Sequence, residues 1–197
     1  MLSNLLRQRA QALLNAIARA LNALGVTPNL LTITGFLAMC AVGVVLALGH
    51  FALGGVLIIV AGIFDALDGT LARLTNRATK FGAFLDSTTD RFAEGALYFG
   101  ILYWYLQRGM VFVAYLIFFT LLGSLMVSYA RARAEGIGVE CKEGLMTRFE
   151  RIALLVIGLL LTALFYDAPI LIVLGILAIL TNVTAVQRMW LVYRATR

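Results

Sequence analysis

Four aspartates, in a chain otherwise made mostly of apolar residues, are where chemistry can reside. Asp65 and Asp68 lie three apart, and Asp86 and Asp90 four apart. Residues at those spacings are surface neighbours on a helix, so each pair presents two carboxylates on one face. Four negative charges converging beside apolar helices repel one another unless cations hold them. Hard oxygen ligands of this kind suit magnesium, manganese or calcium rather than zinc. Two carboxylate pairs suggest two metals, and a two-metal site clamps the attacking and leaving oxygens of a phosphoryl displacement. Gly69, Ala72 and Gly82 lie among them, small enough for a ligand or a second helix to approach. Intramembrane ion pairs or a transporter's cation site would also gather carboxylates, but ionisable residues in membrane spans are functional by default.

The elements that must position these groups are membrane helices. The chain has 197 residues, of which 62% are hydrophobic and 13% charged. That is a membrane composition, with several apolar runs of about 17–25 residues, each long enough to span a bilayer. The net charge of +6 fits cytoplasmic-side Lys and Arg better than a nucleic-acid surface, and no nucleic-acid partner is expected. Cys40 sits in an apolar run and Cys141 in a polar loop, so neither belongs to a disulfide framework or a thiolate metal cage. The N-terminus lacks the apolar centre and small-residue cleavage site of a signal peptide.

Residues 1–24 predict an amphipathic helix lying in the membrane interface. Leu2, Leu5, Leu6, Leu13, Ile17, Leu21 and Leu24 recur at helical spacing among Arg7, Arg9, Asn15 and Arg19. A helix packed on other helices would carry the same pattern. Gly25-Val26-Thr27-Pro28-Asn29 breaks it, and Pro28 suits the start of a new helix. The first span covers about Leu30 to Leu48, with a turn at Gly49-His50. His50, the single histidine, reads as a turn residue rather than a metal ligand. The second begins near Phe51 and carries Asp65, Asp68 and Arg73 toward its far end. Arg73, Arg77 and Lys80 form a basic connection to the third, from near Phe81 to about Leu106, which carries Asp86 and Asp90 in its first turns. Glu94 continues that row and reads as a structural partner for Arg91 or a neighbouring helix. The fourth span, about Met110 to Tyr129, emerges into a polar loop reaching about Arg148. The fifth runs from about Ile152 to Phe165, and the sixth follows Tyr166-Asp167-Ala168-Pro169 to about Trp190.

Placing both termini, the 73–80 connection and the 130–151 loop on one side collects fifteen of the sixteen basic residues, leaving only Arg108 opposite. The positive-inside bias makes that side cytoplasmic. The prediction is one all-α membrane domain over 1–197, with an interfacial helix at 1–24 and a six-helix bundle at 30–192. It sits in the cell membrane with both termini and all four aspartates at the cytoplasmic face.

Asp65-x2-Asp68-Gly69-x2-Ala72-Arg73-x8-Gly82-x3-Asp86-x3-Asp90 resembles the complete signature of the CDP-alcohol phosphatidyltransferases, the integral-membrane enzymes that make phospholipid head groups. Eight positions over 26 residues carry that resemblance. It implies that Asp65, Asp68 and Asp86 hold two magnesium ions, with manganese as a substitute. Asp90 helps bind one of them and takes the proton from the acceptor hydroxyl. The donor is CDP-diacylglycerol or a related CDP-lipid, and CMP leaves. Arg73 suits the diphosphate, since guanidinium presents a fixed fork of donors. Gly69 and Thr79 match donor-nucleotide positions of the family. Its Pro-Asn-x-x-Thr pattern appears as Pro28-Asn29-Leu30-Leu31-Thr32, which carries nucleotide binding onto Asn29, Leu30, Leu31 and Thr32; plain helix capping uses the same residue types. The family is often dimeric, so a homodimer among membrane lipids is expected.

Ser128-Tyr129-Ala130-Arg131-Ala132-Arg133-Ala134-Glu135, followed by Gly144-Leu145-Met146-Thr147-Arg148-Phe149-Glu150-Arg151, resembles the phosphatidylinositol-phosphate synthase branch. Phe149 departs from it, standing where that branch usually has proline. Arg131, Arg133, Arg148, Arg151 and Arg188 would then surround the phosphate of a phosphorylated polyol, inositol 3-phosphate in that branch. A topogenic or headgroup-binding surface would also be basic. Glycerol 3-phosphate is the competing acceptor, as in a phosphatidylglycerophosphate synthase. An archaeal-type lipid is the alternative donor, as in an archaetidylinositol-phosphate synthase. A divalent-cation transporter is the non-enzyme alternative, although it would place its carboxylates near the bilayer midplane.

Overall fold

The computed structural model describes residues 2–141 and 143–197, with side chains at Arg9 and from Gln11 onward. Among them are seven helices and no strand: α1 (Leu2–Ala23), α2 (Pro28–Ala47), α3 (Phe51–Leu74), α4 (Lys80–Gln107), α5 (Phe112–Gly136), α6 (Arg148–Phe165) and α7 (Ala168–Ala195). The breaks follow the expected residues. Gly49 adopts φ +83° after α2, a left-handed conformation that costs glycine little, and the His50 N–H turns back to the Val45 carbonyl at 3.2 Å. Asn76 does the same work after α3 at φ +54°, with the Arg77 N–H reaching the Ala72 carbonyl at 3.0 Å. That turn hands the chain from the first aspartate pair to the second.

Four helices, α2, α3, α5 and α7, are long and apolar enough to cross a membrane. Large apolar side chains on all four face outward, among them Val44, Ile59, Phe118 and Ile172. An exposed apolar surface of that extent belongs in lipid. The expected six spans therefore meet four that qualify on hydropathy. The other two differ for identifiable reasons. Helix α4 is long, at 28 residues, but carries Asp86, Asp90, Arg91 and Glu94. Helix α6 has 18 residues and opens on Arg148-Phe149-Glu150-Arg151.

The chain divides into two compact units, residues 1–42 with 57–97, and residues 43–56 with 98–197. In the first, Ala18 of α1, Leu31 of α2, and Leu67 and Leu71 of α3 form a buried cluster, with Leu14, Ile17, Leu21, Val26 and Phe64 packed around it. The face of α1 bearing Ile17 and Leu21 is thus occupied by other helices, while Leu13 and Leu24 stay exposed. The side chains of Leu2, Leu5, Leu6 and Arg7, part of the same amphipathic pattern, lie outside the described residues. In the second unit α5 packs closely on α7. A Cβ on Gly123 would fall 2.1 Å from Thr181 Oγ1, so only glycine lets these helices approach so closely. Asn182 Nδ2 donates to the Phe119 carbonyl at 2.8 Å across the same seam.

Candidate active site

The apolar cluster of the first unit fixes the rotation of α3. Phe64, Leu67 and Leu71 turn inward, which aims Asp65, Asp68, Gly69 and Ala72 along an adjacent stripe, as about 100° per residue requires. Asp68 is buried, at 7% exposure, while Asp65 is open to the surroundings. On α4, Gly82, Asp86 and Asp90 share one side, and Phe81, Phe84 and Phe92 take the other, each strongly exposed. Thr79 starts that helix by accepting the Gly82 N–H at 2.9 Å, an N-terminal cap.

Carboxylate oxygens of Asp65, Asp68 and Asp86 all come within 4.8 Å of one another. Oxygens on opposite sides of one magnesium ion are about 4 Å apart. A small side-chain adjustment would close the three on a single hard cation, and the donor set is all oxygen. The fourth aspartate stands one turn further along α4, with its Oδ2 3.3 Å from Arg91 Nη1. Three of the four expected ligands are therefore gathered, with Asp90 four residues on from Asp86 along the same helix.

Next to the carboxylates is a cavity of about 230 Å³. Its walls include Asp68 and Asp86, the glycines Gly69 and Gly82, and the expected donor residues Asn29, Thr32, Arg73 and Thr79. Neither glycine leaves room for a side chain without its neighbours giving way. A Cβ on Gly82 would sit 3.1 Å from Thr79 Oγ1 and 3.2 Å from Asn29 Oδ1, and one on Gly69 would sit 3.3 Å from Arg73 Nη1. Arg73 also reaches Thr70 Oγ1 at 3.4 Å, which leaves most of its guanidinium donors toward the cavity.

Two donor expectations change. Leu30 points away, at 51% exposure, and Leu31 is buried in the α1–α2–α3 cluster, so neither lines the cavity. They lie between the polar Asn29 and Thr32, and consecutive helical residues face different ways. Thr32 takes on a second role: its hydroxyl donates to Asp68 Oδ2 at 2.6 Å, both residues being buried. Capping of α2 falls instead to Thr27, whose Oγ1 accepts the Leu30 N–H at 3.3 Å. Arg77, read from the sequence only as part of a basic connection, also lines the cavity. Its place four residues after Arg73 was the available signal.

The second unit holds the five arginines expected for an acceptor phosphate, and it sorts them. Arg188 is buried, donating to the Val127 carbonyl at 2.7 Å and the Glu143 carbonyl at 3.0 Å. Arg131 and Arg151 are close enough to act on it as like charges. Arg151 is buried too, and reaches the Met146 carbonyl at 3.4 Å. Arg131 is exposed and paired with Glu135 at 2.8 Å. Residues 143–147 are held by α7, where Thr184 Oγ1 accepts the Met146 N–H and Gln187 Oε1 the Leu145 N–H, each at 3.2 Å. Arg148 opens α6 beside the Thr147–Glu150 hydrogen bond, which holds the Glu150 carboxyl below its usual range.

Arg133 is set apart from Arg131. Helix α5 continues to Gly136, and residues two apart on a helix point about 200° apart. Arg133 accordingly lines a different cavity, with Tyr129, Ile137 and Met189.

The sequence profile of the CDP-alcohol phosphatidyltransferases matches residues 25–190. The archaetidylinositol phosphate synthase of Pyrococcus horikoshii is 40% identical over 186 residues, covering 94% of this chain and 93% of its own. The phosphatidylinositol phosphate synthase of Corynebacterium glutamicum is 37% identical over 190 residues, covering 93% and 85%. Among solved structures, the phosphatidylinositol phosphate synthase of Mycobacterium tuberculosis with CDP-DAG bound superposes with a TM-score of 0.85 at 31% identity, over 91% of this chain and 93% of that one. The same protein in complex with manganese and citrate gives 0.83 at 31% identity, over 91% and 88%.

Proposed function

The chain belongs to the CDP-alcohol phosphatidyltransferase family, and on that premise we propose that it moves a phosphatidyl group from CDP-diacylglycerol to a hydroxyl of inositol 3-phosphate, releasing CMP and forming phosphatidylinositol phosphate. The observation that carries this reading is one cavity walled by Asp68 and Asp86 of the carboxylate cluster together with Arg73, Asn29 and Thr79. Hard-cation ligands and diphosphate-binding groups meet there within a lipid-compatible protein.

Asp65, Asp68, Asp86 and Asp90 would hold two divalent ions, magnesium with manganese as a substitute. When bound, these ions neutralise charge on the diphosphate and acidify the acceptor hydroxyl. The manganese complex of the M. tuberculosis relative supports a divalent metal here. Arg73 grips the diphosphate with its fork of N–H donors. Gly69 and Gly82 give the nucleotide room, and Asn29 and Thr79 offer it side-chain oxygens and amide hydrogens. Thr32 works through Asp68, keeping that carboxylate turned to the metal. Asp90 accepts the hydroxyl proton as the acceptor oxygen forms its bond to phosphorus and the bond to the CMP oxygen breaks. Arg131, Arg148, Arg151 and Arg188 bind the acceptor's own phosphate, and Arg133 is left out because it faces away from Arg131.

The chain works as six spans, α4 and α6 included, with both termini and the reaction on the cytoplasmic side. Fifteen of sixteen basic residues fall on that side under this topology. It functions as a homodimer. The 40% identity to an archaetidylinositol phosphate synthase favours a second reading of the donor, an archaeal-type CDP-lipid, with the acceptor unchanged.

An acceptor panel tests the reading. Purified protein, CDP-diacylglycerol and magnesium should release CMP with inositol 3-phosphate, far more slowly with free inositol or glycerol 3-phosphate. A parallel arm with an archaeal-type CDP-lipid identifies the preferred tail. Exclusive use of glycerol 3-phosphate would overturn the acceptor, and metal uptake into sealed vesicles without CMP release would favour transport.

A further inference from the structure

Arg133 is a cation outside the transfer chemistry, and its surroundings point to another ligand. It lines a cavity of about 350 Å³ formed by α5, the Ile137 that caps it, and α7, with Met126, Tyr129, Met189 and Val192 also among the walls. That cavity shares no residue with the one beside the aspartates. Every wall but Arg133 is apolar or aromatic. Tyr129, Ile137 and Met189 are 58%, 56% and 60% exposed, so the lining is open toward the lipid rather than sealed in the core. Among the described residues, no carboxylate approaches the Arg133 guanidinium within 4.0 Å. Its neighbour Arg131, by contrast, has Glu135.

The position along the helices is that of a headgroup. Helix α5 ends at Gly136, one turn beyond Arg133, where it leaves its apolar stretch. On α7, the segment after Met189 carries Trp190 under Arg194 and Tyr193 under Arg197, each cation 4.5 Å from its ring centroid. Aromatic and basic residues mixed in this way mark the membrane–water boundary. A guanidinium at that depth with no carboxylate partner among the described residues, above an apolar cavity open to lipid, fits a molecule with an anionic head and a hydrocarbon tail.

We propose that the α5–α7 cavity binds an anionic phospholipid, its phosphate on Arg133 and part of an acyl chain against Met126, Ile137 and Met189, as a resident lipid distinct from the CDP-linked donor. A soluble anion alone would leave the apolar walls unmatched, and a zwitterionic lipid would offset its phosphate with its own cation.

Native mass spectrometry of the full chain, stripped of lipid and titrated with phosphatidylglycerol or phosphatidylcholine, tests this. Phosphatidylglycerol should be retained at roughly tenfold lower concentration than phosphatidylcholine, the ratio expected for one charge-assisted contact. Arg133→Ala should bring that ratio close to one, and Arg133→Lys should keep part of it. Ala130→Trp, which fills the cavity, should weaken both lipids. Melting curves establish that each variant is folded, and the Lys variant carries the comparison if the Ala variant is not. An unchanged preference in both Arg133 variants would overturn the assignment. So would displacement of phosphatidylglycerol by inorganic phosphate, which would mark a free-anion site, or one-for-one displacement by CDP-diacylglycerol, which would mark the donor site.

Discussion

The Thr32 hydroxyl donates a 2.6 Å hydrogen bond to Asp68 Oδ2, joining two side chains that are both buried and 36 positions apart. A buried carboxylate without such a donor is costly to keep charged. Supporting hydrogen bonds of this kind also fix the direction of a metal ligand, and losing one typically costs about 10–100-fold in metal affinity or activity. Thr32→Val should therefore weaken manganese binding, followed directly by titration, by at least about tenfold. Thr32→Ser should restore most of it. Equal manganese affinity in the Val variant would show that Asp68 needs no such support.

The donor cavity should be sensitive to a single methyl group. In Gly82→Ala the new carbon would meet Thr79 Oγ1 at 3.1 Å and Asn29 Oδ1 at 3.2 Å, forcing one of them aside. The KM for CDP-diacylglycerol should rise several-fold while the KM for inositol 3-phosphate holds. A variant with both constants unaltered would place the nucleotide elsewhere.

Arg73 and Arg151 should fail in opposite ways. A charged hydrogen bond lost from an anion site costs about 1.5–3 kcal/mol, or roughly one to two orders of magnitude in binding. Arg73→Ala should raise the donor requirement more than the acceptor requirement, and Arg151→Ala the reverse. Steady-state kinetics with each substrate varied separately distinguish the two. Because Arg151 also reaches the Met146 carbonyl, its variant needs a melting curve alongside the kinetics. Matching changes in both constants for both variants would deny the division of labour.

The loop before α6 should lose order without a small residue at 144. A Cβ on Gly144 would fall 2.9 Å from Thr184 Cγ2 and 3.2 Å from Arg188 Nε. Gly144→Ala should lower stability by about 1–3 kcal/mol, the usual range for overpacking, read as a lower Tm. An unshifted Tm would mean that residues 143–147 are not held by α7.

Much of this was legible in the sequence because spacing and helix geometry speak the same language. Asp65, Asp68 and Asp86 could be gathered on paper, since threes and fours set a helix face. Gly25 and Gly49 marked the breaks because few other residues accept the backbone they adopt, at φ +77° and +83°. Illegible was whatever depended on how far a helix runs and what it packs against. Arg131 and Arg133 looked like partners while residues 130–148 passed for a loop; once α5 extends to Gly136, their two-residue spacing drives them apart. Leu30 and Leu31 matched a motif by position, but packing sent one outward and the other into the core. Ile17 and Leu21 carried an amphipathic signal that suits a membrane surface or a helix neighbour equally, and only the contacts with α2 and α3 tell which face is taken.

The central claim, metal-dependent transfer at the aspartate cluster, is tested most directly by CMP release from CDP-diacylglycerol and inositol 3-phosphate before and after exhaustive chelation. Turnover should vanish on chelation and return with magnesium or manganese but poorly with zinc, as hard carboxylate ligands require. Full turnover with no divalent metal detectable in the sample would contradict it.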